Sequence, residues 1–160
     1  MDRQSRVILR QIIESDLPVF FEHQQHQPAV HMAAFVHEDP SDRNAFDDHW
    51  IKLMDSDQIL KRSIDLEGEL VGHIMSFEME GDREITYWID HHHWGKGIAS
   101  EALRKFLEIE KVRPLFGRAA MDNKPSIQVM ESNSFRLLRQ EQGFANARGE
   151  EIDEVVMVLS

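Results

Sequence analysis

Trp94-Gly95-Lys96-Gly97-Ile98-Ala99 constrains this chain more than any other stretch. It follows Ile85-Thr86-Tyr87-Trp88-Ile89, a β-branched and aromatic run with strand character. It opens a run with helical periodicity, from Ser100 to Glu110. A glycine-rich turn from strand to helix leaves several backbone N–H groups without partners and aims them outward. With the positive end of the helix dipole, those donors suit a phosphate-bearing ligand.

Three nucleotide-binding patterns compete for this turn. A Walker-type loop needs Lys and then Ser or Thr after its second glycine, but Lys96 lies between two glycines. A dinucleotide fingerprint wants Gly or Ala where Ser100 stands, and an acidic residue about 20 positions on. Leu115 to Ala120 offers none. The third pattern is Arg or Gln, two variable residues, Gly, one variable residue, then Gly or Ala. Gly97 and Ala99 match its last two fixed positions, with Trp94 where Arg or Gln is usual. Tyr87-Trp88-Ile89-Asp90 followed by Trp94-Gly95-Lys96-Gly97-Ile98-Ala99-Ser100-Glu101-Ala102 resembles the RimJ/RimL-like branch of the GNAT superfamily, the acetyl-CoA-dependent N-acetyltransferases. The resemblance implies a mixed α/β (α+β) fold, a mostly antiparallel twisted sheet of about seven strands flanked by about four helices. It implies a single GNAT domain over residues 1–160.

Composition bounds the rest. The 160 residues suffice for one domain with a core. With no cysteine, a disulfide framework, a thiolate nucleophile and a cysteine zinc site are excluded, and a cytoplasmic location is expected. Met1-Asp2-Arg3-Gln4 lacks the apolar stretch of a signal peptide, and no run approaches a membrane span. A net charge of −11 argues against nucleic acid as partner and favours a cationic acceptor such as an amine. The expected assembly is a monomer or homodimer.

The pattern predicts a strand over Val7–Ile12, a helix from about Ser15 and irregular chain from His23 to His37. A helix capped by Ser41 follows, with Phe46 and Trp50 facing the core. Strands over Ile59–Leu66 and Glu69–Met79 join at Glu67-Gly68. Gly81-Asp82 turns into a strand from Glu84. The helix from Ile98 has a wide apolar face. A strand over Leu115–Met121, a helix over Pro125–Ser132 and strands over Arg136–Gln142 and Ile152–Leu159 complete the chain.

The chemistry implied by the resemblance is attack of an amine on a thioester. Neutralising the amine at pH 7 costs about 1 kcal/mol for an α-amine and about 4.6 kcal/mol for a lysine-like one. The developing oxyanion needs N–H donors, and the leaving thiolate benefits from a proton donor. In the family the strand before the loop lies beside the pantetheine arm, which implies cofactor contact by Trp88 and an N–H from Ile89 or a neighbour. The amides of Gly95, Lys96, Gly97, Ile98, Ala99 and Ser100, with Trp94, would hold the pyrophosphate. Glu84 is the candidate base; its alternative is a solvated strand end. Alternation places Glu84, Thr86 and Trp88 on one face, which a bulge would break. Asn123 and Ser126 resemble the family's Asn-x-x-Ser that contacts the cofactor. In some members of the family a serine there, or a tyrosine on the following helix, protonates the thiolate; this helix has no tyrosine, so the resemblance leaves that role to Ser126 or water, and the alternative for the pair is helix capping.

Three positions depart from the family pattern: Trp94, Gln128 where a basic residue is common, and Ser134 in place of glycine. The last would leave Asn133 to adopt the left-handed conformation. His91-His92-His93 reads as a solvated connection, because adjacent imidazoles in a turn diverge; no metal is expected. The resulting expectation is direct transfer from acetyl-CoA to a primary amine in a ternary complex. A non-catalytic module of the same fold that binds CoA or another ligand is the alternative.

Overall fold

A computed structural model describes residues 6–160; Met1-Asp2-Arg3-Gln4, read above for a leader, lies outside them. The strands are β1 Val7–Arg10, β2 Leu60–Leu66, β3 Glu69–Met79, β4 Asp82–Ile89, β5 Leu115–Ala120, β6 Arg136–Ala145 and β7 Glu150–Leu159. The helices are α1 Leu17–His23, α2 Gln27–Ala33, α3 Arg43–Asp55, α4 Ile98–Phe106 and α5 Lys124–Ser132. No helix among the described residues is long and apolar enough to cross a membrane.

The strands form one seven-stranded sheet in the order β1-β2-β3-β4-β5-β7-β6. Every neighbour pair is antiparallel except β4 and β5, which are parallel. That parallel pairing covers only Arg83↔Leu115, Glu84↔Phe116 and Ile85↔Gly117. Beyond Ile85 the two strands part. β4 stays paired with β3 along its whole length, in unbroken register from Met79↔Asp82 to Gly72↔Ile89. The bulge that would have broken alternation in β4 is therefore not seen against β3.

Helices cover both faces. α4 presents Ile98, Ala102, Leu103 and Phe106, all buried, to one face, where they meet Val71, Ile74, Ile85 and Ile89 of the sheet. Each large apolar side chain buried there contributes about 1.5–3 kcal/mol. α5 adds Met130 to the same layer. On the other face Phe20 of α1 and Phe46 and Trp50 of α3 pack on Met75.

Several boundaries differ from the sequence reading. Five α-helices form where about four were expected, because Gln27–Ala33 is helical within the stretch read as irregular. Its start is set by Pro28 in the first turn and its burial by Ala29 and Val30. α3 is capped by Asp42, which accepts from Ala45 N at 3.0 Å; Ser41 instead donates its hydroxyl to Asp39. β1 stops at Arg10, and β4 begins at Asp82, because the left-handed pair at the turn is Glu80-Gly81. Ser134, not Asn133, takes the positive φ after α5; Asn133 turns its side-chain amide onto the Ser100 and Val129 carbonyls.

Candidate functional site

The site begins where β4 and β5 separate. Asp90 N donates to Val71 O of β3 at 2.8 Å. Alternation along the strand then turns the Ile89 and Tyr87 N–H groups the other way, toward the gap that β5 leaves. The Ile89 N–H therefore points away from β3, into the gap. Trp88 spends its indole N–H on His23 O at 3.3 Å, so its ring forms wall rather than donor.

The glycine loop sits at the end of this gap. Gly95 and Gly97 have φ of 76° and 74°, a region that only glycine enters without strain. A Cβ built on either meets nothing within 4 Å, so the glycines serve the backbone course and leave its outer side open. Gly97 is the N-cap of α4 and no side chain caps that helix. The amides of Ile98, Ala99 and Ser100 therefore carry the first-turn donors that an anion can take up, with Lys96 beside them. Ser100 contributes its amide alone, because its hydroxyl meets the Ser132 hydroxyl at 2.6 Å. Trp94 is half exposed, and its indole N–H donates to Ile89 O at 3.0 Å. It staples the loop to the end of β4 and offers a ligand its ring face only.

Asn123 and Ser126 face the gap from the start of α5. Asn123 Oδ1 accepts from Ser126 N at 3.3 Å, the geometry of a helix cap. The Ser126 hydroxyl meets Tyr87 Oη at 2.7 Å. This hydrogen bond spans from β4 to α5. Burial pushes the Tyr87 phenol up to about 12, partly offset by Ser126, so it keeps its proton; its Oη also donates to Ser126 O at 3.2 Å.

Glu84, Thr86, Tyr87, Trp88, Asn123 and Ser126 all line one open cleft. Glu84 is 5% exposed, so it is no solvated strand end. Its Oε2 accepts from Arg118 Nε at 3.2 Å. Arg118 Nη1 also donates to Glu141 at 2.7 Å and to Glu154 at 3.1 Å. Burial works against the Arg118 charge, but these ion pairs hold its pKa above the usual arginine range. Glu154 is the opposite case: burial first, then the nearby carboxylates, raises it despite Arg118. With Arg139 also on Glu141, three carboxylates meet two guanidiniums, a surplus of one negative charge in the wall of the cleft.

Sequence reasoning missed Tyr87, Arg118 and Glu154. The histidines divide. His73 is packed between Phe20 and Trp50 at ring distances of 4.7 and 5.0 Å, and burial drives it down to about 3, so it is neutral wall. His49 lines the cleft. Of the adjacent three, His91 and His92 turn toward Asp90, which caps their turn, while His93 turns to Glu69. His26 stacks on His91 at 3.5 Å.

Known proteins place this arrangement. An acetyltransferase (GNAT) domain profile matches residues 6–136. The uncharacterized N-acetyltransferase p20 of Bacillus licheniformis is 31% identical over 92 residues, 55% of this chain and 52% of that protein, so the match spans about half of the relative's length. Mycobacterium smegmatis RimJ, solved in complex with CoA-disulfide, superposes with a TM-score of 0.80 at 20% identity, covering 96% of this chain and 81% of that one. A ribosomal-protein-alanine N-acetyltransferase from Brucella melitensis gives 0.78 at 22%, covering 95% and 98%. A spermidine N-acetyltransferase from Vibrio cholerae, in complex with CoA and spermine, gives 0.77 at 17%, covering 97% and 96%. At such identities the structures speak to the fold, and the profile speaks to the family. The parted strands, the glycine loop on α4 and the profile match agree: this chain belongs to the GNAT acetyltransferase family.

Proposed function

We propose that the protein is an N-acetyltransferase of the RimJ/RimL-like branch, one domain that moves an acetyl group from acetyl-CoA to a primary amine by direct transfer. The observation that carries this reading is the gap between β4 and β5. It opens after Ile85 and continues to the end of β4, where the glycine loop follows; Glu84 and Ser126 line the cleft beside it. Acetyl-CoA supplies an acyl group on a good thiol leaving group. The amides from Gly95 to Ser100 bind the pyrophosphate. The Ile89 N–H stabilises the oxyanion that forms on the thioester carbonyl. Glu84, which lines the cleft with its Oε2 held by Arg118, receives the amine proton through water. Ser126, with Tyr87 behind it, donates a hydrogen bond to the departing sulfur. No cysteine exists to carry the acetyl group, so the amine attacks the thioester itself.

The acceptor we infer is a cationic primary amine, either a protein N-terminus or a small-molecule amine. The surplus negative charge around Arg118 and the net charge of −11 both favour it. Relatives with this fold are named for both acceptor types, a ribosomal protein and spermidine.

The test is thiol release from acetyl-CoA with a panel of amines, run beside calorimetry with CoA. Glu84→Gln is expected to lower turnover at least about 100-fold while CoA affinity holds. Turnover within about twofold of the parent between about pH 6 and 9 removes Glu84 as the base. CoA binding without thiol release from any amine leaves a binding module, the reading that the committed Trp94 N–H favours.

A further inference from the structure

β6 is a ten-residue strand at the end of the sheet, with β7 on one side and no strand on the other among the described residues. A long open edge is a template for pairing with another chain, and proteins blunt it with short strands, Lys, Pro or inward-pointing charges. The opposite edge follows that rule: β1 has four residues, begins just after Arg6 and ends on Arg10. β6 contains neither Lys nor Pro, and a bulge between Leu137 and Arg139 is its only irregularity. It also exposes apolar side chains: Leu137 is 52% accessible, Leu138 40% and Phe144 59%.

The charges of β6 select its partner. Antiparallel pairing of two copies about a two-fold axis at Gln140 sets Arg139 of each copy opposite Glu141 of the other. Shifting that axis by one residue in either direction removes the Arg–Glu pairs. The sequence of this edge is thus complementary to itself in one register, and the apolar residues flank the axis on both sides. We infer that β6 is a homodimer interface that joins two sheets edge to edge through Gln140. This pairing also carries Arg139 of the second copy to Glu141, at the rim of the cleft.

Sedimentation of the whole chain tests the inference without acetyl-CoA, so its failure leaves the transferase reading untouched. The parent is expected to sediment as a dimer at concentrations on the order of 100 μM. Leu137→Lys with Leu138→Lys is expected to sediment as a monomer with unchanged circular dichroism and melting. Arg139→Glu, which sets like charges opposite each other twice, is expected to weaken the dimer at least about tenfold. Arg139→Glu combined with Glu141→Arg is expected to recover it. Ile8→Lys, on the exposed face of the far edge, is expected to leave it intact. A monomeric parent overturns the inference, as do an assembly larger than a dimer, a dimer that survives both leucine changes, and one lost on Ile8→Lys.

Discussion

One hydroxyl shows how chemistry is assembled here from residues far apart in sequence. Tyr87 lies on the strand before the glycine loop, yet its Oη reaches Ser126, 39 positions on. A phenol held near 12 stays protonated through the working range, so its contribution does not titrate there. Tyr87→Phe is expected to lower kcat about 10–100-fold, evenly from about pH 6 to 9, with CoA affinity kept. A pH-independent rate equal to the parent's makes the Tyr87–Ser126 bond structural only. The loop, Glu84 and the Asn-x-x-Ser could be picked out as candidates because each lies in a short stretch that resembles the family's. The sequence did not show that Tyr87 backs Ser126, or that Arg118 gathers Glu84, Glu141 and Glu154. Those partners stand 34, 23 and 36 positions from Arg118, and only strand pairing brings them together.

Elements are tied by a few buried polar groups as well as by apolar faces. Asp16, just before α1, accepts from both Nη groups of Arg10 at 2.8 and 2.9 Å, from the Ser63 hydroxyl of β2 at 2.7 Å and from Ile13 N at 3.0 Å. Burial works against its charge, but these bonds outweigh it and hold its carboxyl below the usual range. The sign follows: a depressed carboxyl gives stability that is complete above the unfolded value and lost as pH falls through the folded one. Asp16→Asn is expected to cost about 2–3 kcal/mol at pH 7 and almost nothing at low pH. Urea titrations from neutral pH down to about pH 2 check it; a cost that does not shrink as pH falls through the acid range refutes the linkage. Element order was legible because periodicity changes where Gly and Pro punctuate the chain. α2 was not: a seven-residue helix has two turns, and its Gln, His and Met side chains give the apolar stripe no length.

At the scale of the molecule, the sheet is continuous except at one seam. β3 pairs with all of β4, whereas β5 leaves it after Ile85. A ligand bound along that seam joins two halves of the core, so binding and folding are linked. CoA at about 100 times its dissociation constant is expected to add about 2.7 kcal/mol to stability, seen as a raised melting temperature. No rise at millimolar CoA counts against the proposed site. The seam itself was foreseeable only through family resemblance, since strand patterns in sequence do not say where parallel neighbours diverge.

The backbone direction fixed by the Asp90–Val71 bond has one more consequence. The Tyr87 and Ile89 amides are the sheet's own reporters. With no neighbouring strand to bond them, they are expected to exchange hydrogen for deuterium faster than the β4 amides that face β3, and a pantetheine chain laid beside them to slow that exchange at two known addresses, whichever amine is being modified.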